Sequence, residues 1–193
     1  MGDETWVHYH QPETKKASKE WCHTSPKLKK FRTQPSAGKV ILTLFWDERG
    51  VILEHYMPRG NTVTSAVYED LKNDLLPAIK SKRHRCLSTG VLLQHANARP
   101  HTACSTVATI QDLSFESLSH PLYSPELTPS DFHVFGPHKE AMGSKSFRSD
   151  EEVQQAVHEW LRCQPKEFFS RGILALPKCW NTYVERNGDY IEK

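Results

Sequence analysis

Apolar residues alternate in short runs near the start of this chain and recur at helical spacing towards its end. Over residues 5–10, Trp6, His8 and His10 alternate with Val7 and Tyr9, which predicts a short strand opening directly after Asp3. From 11 to 38 the composition shifts to Lys, Ser, Thr and Pro, with only Trp21, Leu28 and Phe31 as large apolar anchors, which predicts a long arm outside the core. Residues 39–46 carry the apolar run Val40-Ile41-Leu42-Thr43-Leu44-Phe45 of a buried strand; Asp47-Glu48-Arg49-Gly50 is a turn and 51–56 the returning strand of a hairpin. A helix is predicted from about Thr64, with Val67, Leu71 and Leu75 on one face and Pro77 interrupting its end. Residues 90–95 form a compact apolar strand, followed by a turn through Pro100, a short helix over 106–110 and a fifth strand at Phe115–Leu118. Ser149-Asp150-Glu151-Glu152 is a capping box ahead of Val153, Ala156, Val157, Trp160 and Leu161 at helical spacing. A last helix starts near Pro177, carries Trp180, Tyr183 and Val184 on its apolar face, and ends at Gly188. The order β-β-β-α-β-α-β-α-α predicts a single α/β domain over 1–193: a mixed five-stranded sheet with helices on both faces and a basic arm inserted at 11–38.

Composition fits a globular protein, with 37% hydrophobic residues in 193. The net charge of +2 is too small to argue for a nucleic-acid partner, but its distribution is uneven. Between 11 and 39 lie eight basic residues, Lys15, Lys16, Lys19, Lys27, Lys29, Lys30, Arg32 and Lys39, against Glu13 and Glu20. A second basic run holds Lys80, Lys82, Arg83 and Arg85. Such runs neutralise phosphates, although an isolated run is more often a solvated loop. Five cysteines (Cys22, Cys86, Cys104, Cys163, Cys179) without a C-x-x-C pair indicate neither a disulfide framework nor a zinc ribbon, and free thiols point to a reducing interior. No apolar run has the length of a membrane span, and the opening residues lack an apolar signal core and the myristoylation pattern. His8 and His10 share a strand face, but a third metal ligand is not evident.

Three segments carry candidate chemistry. Gly2-Asp3-Glu4-Thr5-Trp6 leads into a strand; Leu92-Leu93-Gln94-His95-Ala96-Asn97-Ala98-Arg99-Pro100-His101 ends one; Tyr123-Ser124-Pro125-Glu126-Leu127-Thr128-Pro129-Ser130-Asp131-Phe132 opens a helix. The 34 residues from 97 to 130 separate the second and third key positions. Together these segments resemble the catalytic domain of a mariner-type transposase of the Tc1/mariner superfamily, whose signature sets three aspartates with that 34-residue spacing. Here the middle aspartate, usual before Asn-Ala-Arg-Pro-His, is Ala96, while Glu126 and Thr128 replace the usual Asp and Ala of the third motif. The resemblance extends over nearly the whole chain.

It implies an RNase H-like fold in which the three acids converge and hold two Mg²⁺ or Mn²⁺ ions roughly 3.5–4 Å apart for phosphodiester cleavage and strand transfer. Hard divalent ions take oxygen ligands, so Asp3 and Asp131 are the expected catalytic and metal-binding residues, and Ala96 can coordinate nothing. Activity is therefore expected to be lost or crippled, with metal binding weakened. Strand alternation places His95 and Asn97 on the face opposite position 96, so neither is expected to substitute. Asn97, Arg99 and His101 are expected to build the strand-to-helix turn. The segment before Asp3 is too short for the helix-turn-helix modules that read transposon ends in the family, so DNA binding is expected to be weak and sequence-independent, through the arm and Lys82, Arg83 and Arg85. The arm resembles a clamp between protomers, which implies a homodimer; the family implies a nuclear location, the residues alone a cytoplasmic one. The alternative is a domesticated domain kept for DNA binding, end processing or protein contacts.

Overall fold

The computed structural model describes residues 1–10, 36, 38–58, 60–118, 121, 124–143 and 145–186; the side chains of Leu71 and Lys72 are outside that description. The arm lysines, Arg32, Trp21, Phe31 and the expected stop at Gly188 therefore lie outside the described residues.

Three strands, β1 (Gly2–His8), β2 (Lys39–Asp47) and β3 (Gly50–Met57), form an antiparallel sheet in that order. The turn between β2 and β3 closes where Arg49 N–H donates to the Asp47 carboxylate at 2.9 Å and Gly50 takes a φ of +125°, a conformation that only glycine adopts without strain. Two further strands, β4 (Val91–Gln94) and β5 (Phe115–Leu118), pair in parallel as a second sheet. The five-stranded sheet expected from the sequence is thus divided into three strands and two. The physical reason is the brevity of β4: its regular pairing ends at Gln94, and among the described residues the ladder between the groups is a single bridge, Gly2 to His95.

β2 shows how sequence alternation builds a two-faced core. Val40, Leu42, Leu44 and Trp46 point to one side, against Val153, Val157, Leu161, Phe169, Val134 and Phe135. Phe45 points to the other, against Tyr68, Leu75, Ile79, Leu93, Ile110 and Phe115. Helices accordingly cover both faces. The first face holds α5 (Gly136–Met142), α6 (Asp150–Cys163) and α7 (Lys166–Leu174); the second holds α1 (Ser65–Lys82) and α4 (Cys104–Asp112). Short helices α2 (Cys86–Thr89) and α3 (Arg99–Thr102) flank β4, and α8 (Leu176–Glu185) closes the described chain.

Several elements depart from expectation. β1 begins at Gly2, so Asp3 sits within the strand instead of ahead of it. α1, capped by Thr64, continues through Pro77 to Lys82. The buried residues Tyr68, Leu75 and Ile79 fasten one face of this helix to the sheet on both sides of the proline, which outweighs the one backbone hydrogen bond that proline forfeits. The Ser149 cap forms as expected, its hydroxyl accepting from Glu152 N–H at 3.3 Å, but the Glu152 carboxylate accepts from Arg148 N–H instead of closing back on Ser149. Val184, expected on the apolar face of the last helix, is 73% exposed, and α8 buries Leu176 instead.

α7 was not foreseen at all, yet it brings Phe169 to the Trp46 ring with centroids 5.8 Å apart. Gly172 of the same helix sits so close to Trp46 that an added methyl would meet its ring at 3.2 Å and the His133 ring at 2.6 Å. Gly172→Ala is expected to destabilise the domain by about 2 kcal/mol, because the Trp46 ring is fully buried and the His133 ring is held by its hydrogen bond to Phe168 O at 2.6 Å. Urea denaturation with an unchanged midpoint would show that the helix slides freely over Trp46.

Candidate metal centre

Asp3 and Glu4 are neighbours on β1 and face opposite sides of it. Asp3, 6% exposed, looks towards the α5 side and accepts Glu4 N–H at 2.8 Å. Asp131 comes from a π-helical turn, Ser130–Phe135, which runs directly into α5. Buried Trp46 holds that turn by donating its indole N–H to Ser130 Oγ at 3.0 Å, and Asp131 N–H donates to Thr128 O at 2.9 Å. The extra residue in a π turn re-aims side chains relative to a regular helix, which carries Asp131 over β1. Position 96 follows the bridge at His95. Asp3, Ala96 and Asp131 line one cavity of about 570 Å³, whose wall also includes Asn97, Arg99 and Thr128.

The electrostatics of this cavity favour a cation. Burial, then Asp131, then Glu4 push the Asp3 carboxyl well above the usual carboxylate range, against the opposing Glu4 amide and Lys139. Asp131 opens to solvent on one side; its carboxyl is raised by partial burial, with Lys139 working the other way. Two oxygen donors of the right kind are present, but the third corner is a methyl group, and among the described residues no group of three His, Cys, Asp or Glu converges as a metal site. The residues present do not fit a two-ion centre.

A carboxyl whose pKa is raised by folding binds its proton more tightly in the folded chain, so the folded state loses stability as pH climbs from the ordinary carboxylate range through the raised value. Asp3→Asn is therefore expected to stabilise the metal-free domain at pH 7 by about 1 kcal/mol, or ~2–4 °C in melting temperature, with the gain shrinking towards pH 4. A lower melting temperature at pH 7 would contradict the buried, repelled carboxylate.

The other sequence-predicted residues fall into three groups. Lys15, Lys16, Lys19, Lys27, Lys29, Lys30 and Arg32 lie outside the described residues. Arg85 is exposed at the start of α2, and Lys82 donates to Ile52 O at 2.9 Å from an exposed position. Arg83 is committed within the fold: its side chain is 12% exposed and grips Asp47 through two nitrogens at 2.6 and 2.9 Å. His8 and His10 are turned to separate partners, Ser36 O and Ser146 Oγ. Asn97, expected on the far face, lines the cavity; regular pairing stops at Gln94, so strand alternation does not reach it. Sequence reasoning also missed Lys139, the cation whose charge reaches both carboxyls, for which no local signal existed.

Residues 11–89 match the family model described as Transposase (partial DDE domain). The chain is 34% identical over 193 residues to the Mariner Mos1 transposase of Drosophila mauritiana, covering 99% of this chain and 55% of that protein. It is 29% identical over 192 residues to the Histone-lysine N-methyltransferase SETMAR of Homo sapiens, covering 98% of this chain and 28% of that protein. The chain thus spans about half the length of the first relative and little more than a quarter of the second. The crystal structure of the catalytic domain of Mos1 mariner transposase superposes with a TM-score of 0.82 at 32% identity, over 99% of this chain and 82% of that one. The crystal structure of the Mos1 mariner paired end complex with Mn gives 0.90 at 34% identity, over 99% and 56%. Likeness at this identity, over nearly all of this chain and most of the Mos1 catalytic domain, shows that the chain belongs to the mariner transposases and has the RNase H-like α/β fold of their catalytic domain.

Proposed function

We propose that this chain is a mariner catalytic domain that still binds DNA and has lost efficient strand cleavage. One observation carries the reading: Asp3 and Asp131 share a cavity with a methyl group at Ala96, where the family's chemistry asks for a third carboxylate. A Mos1 paired end complex was solved with Mn, consistent with divalent-ion chemistry in that relative. In this chain, one carboxylate fewer removes both a ligand and the charge that would hold paired ions, so cleavage falls by several orders of magnitude.

DNA contact is assigned to the basic arm, through Lys15, Lys16, Lys19, Lys27, Lys29, Lys30 and Arg32, and to Lys82 and Arg85. Phosphate contact from such a run is weak, insensitive to sequence and salt-dependent. The same arm is the proposed dimer contact, and the nucleus the proposed location. The test is a salt titration of duplex DNA binding together with a Mn²⁺ nicking assay on the purified chain. Binding that weakens with salt, that loses slope when Lys29, Lys30 and Arg32 are reversed to Glu, and that is not accompanied by nicking supports the reading. Binding indifferent to the reversal would make the arm a solvated loop and favour a domain retained for protein contacts.

A further inference from the structure

Among the described residues the two strand groups meet at one backbone bridge, Gly2 to His95, and side chains cross the gap beside it. Glu4 Oε2 lies 3.2 Å from His101 Nε2, His101 Nδ1 lies 3.2 Å from His95 Nδ1, and His95 Nε2 lies 3.2 Å from Ser117 Oγ. This line starts on β1, passes through α3 and through His95 just beyond β4, and finishes on β5. Its middle is buried: His101 is 2% exposed and His95 9%. Tyr68 of α1 backs both rings, with centroids 4.0 Å from His101 and 5.9 Å from His95. Burial, Glu4 and Asp3 push the Tyr68 phenol well up, which keeps it neutral.

A carboxylate only accepts hydrogen bonds, so with one proton on each imidazole the direction of the whole line is forced. Ser117 O–H donates to His95 Nε2, His95 Nδ1–H donates to His101 Nδ1, and the Glu4 carboxylate, in ion-pair contact at 3.2 Å, draws the His101 proton to Nε2. Glu4 follows Asp3 in sequence and His95 precedes Ala96, so one end of the line and its third member hold the backbone on which positions 3 and 96 sit. We propose that Glu4, His101, His95 and Ser117 are positioning residues: a one-directional hydrogen-bond line that sets the spacing of positions 3 and 96 where the strand ladder has shrunk to one bridge. The inference rests on the reading of positions 3, 96 and 131 as a metal centre, but its physical content is testable without metal.

Nitrogen-15 spectra of the metal-free chain are expected to show the Nδ1–H tautomer at His95 and the Nε2–H tautomer at His101. His101→Phe keeps a ring for Tyr68 and removes both nitrogens; it is expected to speed amide exchange at residues 2–4 and 94–96 by about 10-fold while the β2–β3 hairpin and α6 keep their protection. His101→Gln, which offers one acceptor and one donor, is expected to recover most of that protection. In an Ala96→Asp background, His101→Phe is expected to weaken Mn²⁺ binding by about 10–100-fold. An Nε2–H tautomer at His95 in the unmodified chain, or unchanged local exchange in folded His101→Phe, overturns the proposal. Should His101→Phe fail to fold, the tautomers of the unmodified chain decide. Failure of the metal-centre reading would appear as Ala96→Asp binding no Mn²⁺, with the tautomers and exchange unaffected.

Discussion

Acidification from pH 6.5 to pH 4 is expected to remove about 3 kcal/mol of stability through His138 alone. The ring is 2% exposed on α5, edge-on to Trp160 with centroids 5.2 Å apart, and neither nitrogen has a hydrogen-bond partner among the described residues. Burial first, then Lys139 and Lys145, lower its pKa from 6.5 to about 4. The unfolded chain therefore takes up a proton from pH 6.5 downward while the folded chain refuses it until about pH 4, so the contribution is intact above 6.5 and lost on the way down. Asp3 works in the opposite sense, its raised pKa favouring the folded state at the acid end, so the two effects must be separated by mutation. His138→Phe keeps the edge contact with Trp160 and removes an imidazole whose burial without partners is itself costly. Urea midpoints measured from pH 7.5 to 4 should fall steeply for the unmodified chain and much less for His138→Phe. Parallel curves would mean that the imidazole reaches water or a proton acceptor in solution.

Ala96→Asp is expected to have the largest effect on activity, raising Mn²⁺-dependent nicking by about 10²–10³-fold. The physics predicts a cost before the gain. Asp3 and Asp131 already raise the charge cost of the cavity, and a third carboxylate adds to it, so the metal-free variant should melt below the unmodified chain. Metal reverses this: ions bound only by the folded state at 100 times their dissociation constant return about 2.7 kcal/mol. A large Mn²⁺-dependent thermal shift in Ala96→Asp, with little in the unmodified chain, is the expected signature. A shift without nicking would locate a further lesion, with Glu126 and Thr128 the first departures to revert.

Much of this was legible in the sequence because it depends on local pattern. The apolar run over 40–45 marked the buried strand whose two sides the structure resolves into separate core faces, and Ser149 marked the start of α6 through the same oxygen that caps it. The resemblance carried by the three motif segments singled out positions 3, 96 and 131, and these positions line one cavity. What escaped depends on tertiary contact. Pro77 ends an isolated helix but not one fastened by Tyr68 and Ile79 on either side. α7 carries Gly172 mid-helix, a poor helix signal that becomes intelligible only against the Trp46 ring. The division of the sheet and the placing of Asn97 share one cause, the early end of β4, which no residue pattern announces. The line from Glu4 to Ser117 spans 113 sequence positions, and nothing in the spacing of His95 and His101 pointed to it.

The central claim, that position 96 is where this centre fails, is tested most directly by electron paramagnetic resonance during a Mn²⁺ titration. The unmodified chain should show no exchange-coupled Mn–Mn pair at any metal concentration, and Ala96→Asp should develop one. A coupled pair in the unmodified chain, abolished by Asp3→Ala, would contradict the account and require a substitute ligand beside Ala96.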